Sequence, residues 1–175
     1  MLRTVMTTTT STPTTSRATA LRPTQSTPSV SRDELYDFAD QTLTIVPARP
    51  RVLMAWLLLV GTGLVVKAGG FAATRWIVSR WPRRRHAVNS TRRTAVTLEI
   101  RAALRRACTF YFKRTWCLQK SAVLACMMRS HGVQADVVIG VQKMPFQAHA
   151  WVESDGEVVN GAPTFKTRFM VMERW

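Results

Sequence analysis

Two residues 32 positions apart, Cys117 and His149, have the types and settings that suggest chemistry in this chain. They lie in Trp116-Cys117-Leu118-Gln119-Lys120-Ser121 and in Phe146-Gln147-Ala148-His149-Ala150-Trp151-Val152-Glu153. A free thiol is mostly protonated at neutral pH, and the positive end of a helix or a neighbouring imidazolium favours its reactive thiolate. A Cys117 in the first turn of a helix would also direct its own backbone N–H outward, as one part of an oxyanion hole. His149 would take and return the proton of a leaving amine or an attacking water. Taken alone, the same residues also suit a plain core role, as a cysteine between Trp116 and Leu118 and a histidine on an apolar strand.

The elements that must hold this pair follow from periodicity. Residues 117–130 read as a helix with Leu118, Ala122, Ala125 and Met128 on one stripe, closed by Gly132. The period then changes to two. Residues 135–141, 149–153 and 157–160 alternate and are rich in β-branched side chains, with Asp155-Gly156 as a hairpin signal between the last two. Upstream, 94–112 carries Val96, Ile100, Ala103, Leu104 and Ala107 at helical spacing with arginines opposite. Helices followed by an antiparallel sheet make an α+β plan.

The remaining organisation is read from composition. Residues 1–30 form a Thr/Ser-rich tail with little to bury. Residues 31–80 read as N-terminal helices. The first, from about 32 to 43, is opened by the capping box of Ser31 and Glu34, with Pro47 and Pro50 after it. The second is the strongly apolar run 52–66, whose fifteen uncharged residues fall short of the roughly 20 a spanning helix needs. It is therefore read as a buried or peripheral helix, with membrane contact as the alternative. Residues 81–93 are a basic linker, and 94–175 the domain that carries Cys117 and His149.

The net charge is +15, and between Arg75 and Arg114 twelve Lys/Arg stand against Glu99 alone. Such a run attracts anionic partners. It comes without a recognition motif or interleaved aromatic platform, so nucleic acid is not the expected partner. Cys108, Cys117 and Cys126 are odd in number and match no zinc spacing, which points to free thiols in a reducing, cytoplasmic setting. No metal is expected, and no glycine loop for phosphate is present.

In sequence the segment from Cys117 onward resembles the C-terminal domain of the lasso-peptide B proteins, the microcin-processing leader peptidases of the transglutaminase-like cysteine-protease superfamily. The resemblance is carried by Cys117-Leu118 with Ser121, Arg129-Ser130-His131-Gly132-Val133, Ile139-Gly140-Val141 and Pro145-Phe146. It continues through Ala148-His149-Ala150-Trp151-Val152-Glu153, Asp155-Gly156 and Val159-Asn160. It implies a transglutaminase-like, papain-like core with the nucleophile helix packed on a small antiparallel sheet. It implies Cys117 as nucleophile and His149 as base in removing the leader of a ribosomally made precursor peptide. The implied partners are that precursor, a separate leader-recognition protein and a lasso cyclase. ATP is a family requirement by the same resemblance. The competing expectation is a catalytically impaired peptide-binding or scaffold protein of a peptide-modification cluster.

That competing expectation rests on one departure. The family places an aspartate after the asparagine of its Val-Asn pair, and this chain has Gly161 there. If Asp155-Gly156 is a two-residue turn, residue 154 faces 157, and Asn160 projects from the face of His149, one diagonal away. Asn160 is then the candidate to hold the imidazole, as in Cys-His-Asn sites. A three-residue loop would reverse the parity. Glu153, two residues beyond Trp151 on the same face as His149, is a weaker candidate.

Overall fold

The computed structural model describes residues 45–83 and 89–175, so the expected helix at 32–43 lies outside the described residues. The described elements run α1 (Arg49–Ser79), α2 (Ser90–Thr109), α3 (Cys117–Ser130), β1 (Asp136–Gln142), β2 (Gln147–Ser154), β3 (Glu157–Val158), α4 (Phe165–Arg168) and β4 (Met170–Arg174). The strands form one antiparallel sheet in the order β3-β2-β1-β4. The α+β architecture expected from the sequence is the one observed.

α3 is the centre of the fold. It packs on α1 and α2 on one side and on β2 and β1 on the other. Its side chains from Ser121 to Arg129 are buried all round, as for a helix enclosed on every side. Leu124, Met127 and Met128 share one core with Leu59 and Val78 of α1, Ile100 and Leu104 of α2, and Val137 and Val152 of the sheet. The helix of the 31–80 segment is therefore part of the same core as the helix that starts at Cys117.

Strand alternation separates the two faces of the sheet. Val137 and Val152 face α3, whereas Val138 and Trp151 pack with Phe165 and Phe169 on the other side. The β2–β3 connection is the two-residue turn: Ser154 pairs with Glu157 and Glu153 with Val158. Both turn residues have positive φ, 49° at Asp155 and 81° at Gly156, as the Asp-Gly pair favours.

α1 is longer than the apolar run 52–66 suggested, at 31 residues, with non-helical torsions at Gly70 (φ 59°). Pro50 lies in its first turn, where a missing N–H costs nothing, so this proline opens α1. By length and composition α1 is sufficient to cross a membrane. Ala55, Leu59, Thr74 and Val78 are buried against the core, while Leu53, Leu57, Leu64 and Trp76 are exposed. Several arginines of the basic run tie elements together: Arg75 pairs with Glu173 at 2.9 Å and Arg93 with Asp155.

Candidate functional site

Cys117 is the first residue of α3. Trp116 before it is extended (φ −86°, ψ 154°), and its carbonyl accepts the first helical bond from the Lys120 N–H at 3.0 Å. No side chain caps this end, and no acidic residue lies in the first turn. The backbone N–H groups of the first turn, that of Cys117 included, lack intrahelical acceptors. The half-buried sulfur is thus at the end of the helix that favours an anion. Burial pushes Cys126 up to about 12, and burial also raises Cys108, opposed by the Lys120 charge and a hydrogen bond with Thr115.

His149 is on β2, with Gly140 of β1 as its cross-strand partner. Its ring is buried among aromatics. It stacks near Trp151 (centroids 6.5 Å, 14°), meets Phe165 edge-on (5.0 Å, 77°) and lies 5.9 Å from Phe169. Burial, with the Lys120 cation as the lesser cause, lowers its pKa from 6.5 to about 4. The ring is therefore a neutral imidazole at neutral pH, and a weaker base than a solvent-exposed one.

Lys120 is the residue common to both. One helical turn after Cys117, it interacts electrostatically with Cys117 and Cys108, and its charge acts on His149. Its own pKa is lowered, first by burial. Lys120 thus brings one positive charge to bear on both groups. In the sequence its one signal is a spacing of three from Cys117 on a helix.

Asn160 does not take the position anticipated for it. The hairpin register is the favourable one, yet β3 ends at Val158 and the chain bends at residues 159–161. The Asn160 side-chain oxygen accepts from the Val152 N–H at 2.6 Å, and its nitrogen donates to Ser121 Oγ at 3.0 Å. Ser121 in turn donates to the Ala150 carbonyl at 2.9 Å. Its amide thereby fastens α3 to β2, on the side away from the aromatic cluster around His149.

Position 161 is closed to an acid in this arrangement. A Cβ on Gly161 would fall 2.2 Å from Cε2 of Phe165, so the phenyl ring fills the space a side chain would need. That same ring meets His149 edge-on. Glu153 acts at one remove: its carboxylate, 4% exposed, accepts from Trp151 Nε1 at 2.9 Å and pairs with Arg174 at 2.7 Å. The ion pair thus fixes Trp151, which lies beside the imidazole. Phe165 and Phe169 went unnoticed in the sequence, their one signal being a spacing of four within a segment too short for a periodic pattern.

Comparison with known proteins gives the family of the chain. A family model described as the transglutaminase-like superfamily matches residues 56–174. A 56-residue stretch is 39% identical to the microcin J25-processing protein McjB of Escherichia coli, covering 32% of this chain and 27% of that protein. No solved structure matches the chain significantly. With an α+β core, a helix that starts at a cysteine and a family match from α1 through β4, the chain belongs to the transglutaminase-like superfamily.

Proposed function

We propose that this protein is a thiol peptidase that removes the leader from a ribosomally made precursor in lasso-peptide maturation. The observation that carries this reading is Cys117 at the open N-terminus of α3 in a transglutaminase-like chain, part of which is similar to a microcin-processing protein. In the proposed reaction the Cys117 sulfur adds to the scissile carbonyl as His149 takes the thiol proton. The Cys117 N–H, with its neighbours in the first turn of α3, receives the oxyanion, and Lys120 adds positive charge nearby. The C–N bond breaks as His149 returns that proton to the leaving amine, which leaves a thioester. Water, deprotonated by His149, then hydrolyses the thioester to a carboxylic acid and the free thiol. A separate leader-recognition protein, a lasso cyclase and an ATP requirement belong to this proposal through the family resemblance alone.

The reading is tested by incubating the cognate precursor with the wild-type chain and with Cys117→Ala and His149→Ala, and following leader release by mass spectrometry. Loss of release in both variants, with folding retained, is expected. Release that survives both changes contradicts the proposal.

A second reading is favoured by one observation. Phe165 occupies the space beside Gly161, so position 161 itself offers His149 no carboxylate. A peptide-binding scaffold would bind the precursor and leave it uncut, with identical results for the wild type and Cys117→Ala.

A further inference from the structure

A groove begins at the residue before the thiol. It has a volume of about 360 Å³, within the range of ligand-binding clefts, and runs between the middle of α1 and the α2–α3 connection. Trp116 and Gln119, which flank Cys117 in sequence, both line it. Its floor is fixed: Gln119 Nε2 donates to the Leu59 carbonyl at 2.7 Å and lies 3.2 Å from the Tyr111 hydroxyl. Its mouth carries large apolar side chains left in solvent, with Leu64 62%, Phe112 68% and Trp116 73% exposed. Exposed apolar clusters of this kind mark surfaces that are covered in use.

Its charge is one-sided. Lys67, Lys113 and Arg114 line the groove, and no acidic residue among the described ones does. Lys113 is held over the Phe112 ring, 5.6 Å from its centroid, which joins cation and apolar wall in one feature. A hydrophobic cleft rimmed only by cations is complementary to an apolar side chain with a carboxylate beside it.

We propose that this groove receives the substrate segment flanking the cleaved bond, and that it selects an apolar residue adjacent to an acidic one. The assignment rests on the peptidase reading for its role, because Trp116, the residue before Cys117, lines the groove. Its binding preference is nevertheless measurable without cleavage. Leu64 and Trp116 take the apolar side chain, and Lys67 and Arg114 pair with the carboxylate.

The test uses the full chain with Cys117→Ala, so that binding cannot lead to cleavage, and two fluorescein-labelled peptides identical except for one pair. One carries Leu-Asp and the other Leu-Lys, and binding is read by fluorescence anisotropy. About tenfold tighter binding of the Leu-Asp peptide is expected, from two partly exposed ion pairs. Adding Lys67→Glu and Arg114→Glu removes or reverses that preference, and Leu64→Ser weakens both peptides. These residues are on the surface, and unchanged melting temperatures confirm that the variants fold. Equal binding of the two peptides, or a preference untouched by the double charge reversal, overturns the proposal. Either result leaves leader release by the wild type as a separate question. Conversely, absent release together with a confirmed preference would remove the peptidase reading and keep the groove as an acidic-peptide site.

Discussion

His149 is enclosed by Trp151, Phe165 and Phe169, and that enclosure sets its protonation. Its pKa falls from 6.5 to about 4, so the unfolded chain binds a proton more readily than the folded one between those values. The folded state is therefore expected to lose stability as pH drops from 6.5 towards 4, by up to about 3 kcal/mol from this group, with no further loss below. Denaturant titrations across that window check it, and His149→Gln should flatten the slope. A second expectation concerns the missing acid. Gly161→Asp alone should destabilise by about 1–3 kcal/mol through collision with Phe165 and gain no activity. Pairing it with Phe165→Ala should remove the collision, as a thermal melt of the three variants would show. Cys117 and His149 were readable in the sequence because helix-start and strand signals are local. The surroundings of His149 were not, because Phe165 and Phe169 reach it only through the fold.

At the level of elements, Asn160 and Ser121 join the nucleophile helix to the sheet. Asn160→Ala leaves the Val152 N–H and Ser121 Oγ without this partner, and should cost about 1–3 kcal/mol. If leader release falls as well, the loss should follow from displacement of α3, and Cys117 alkylation rates in Asn160→Ala would register that displacement. α2, α3, β1 and β2 emerged near their observed bounds, since each has a clear 3.6- or two-residue period over seven or more residues. α4 and β4 did not. Phe165–Arg168 makes a single turn, and Met170–Arg174 is an edge strand with an interrupted register against β1. Pairing of that kind depends on β1 already being in place and leaves little trace in the local pattern. α1 was legible in type and short in extent, because Gly69, Gly70 and Lys67 imitate a helix end in a segment whose packing overrides propensity.

Across the whole molecule, Arg129 closes the fold at the end of α3 opposite Cys117. Its fully buried guanidinium donates to the carbonyls of Ala135 (2.7 Å), Trp175 (3.0 Å) and Val78, which joins the segment entering β1, Trp175 after β4, and α1. Arg129→Met should destabilise by about 3–5 kcal/mol in chemical denaturation, since buried carbonyls lose their donors at once. In the sequence Arg129 was visible only as a basic residue in the last turn of a helix. The arrangement leaves one accessible end of α3, bearing Cys117, with the basic groove beside it. The most direct test of the central claim is partial alkylation with iodoacetamide, with each cysteine quantified by mass spectrometry and leader release measured on the same samples. Activity should fall in proportion to the fraction of Cys117 modified, while Cys126, buried and pushed up to about 12, stays unmodified. Full modification of Cys117 with undiminished leader release would contradict the account.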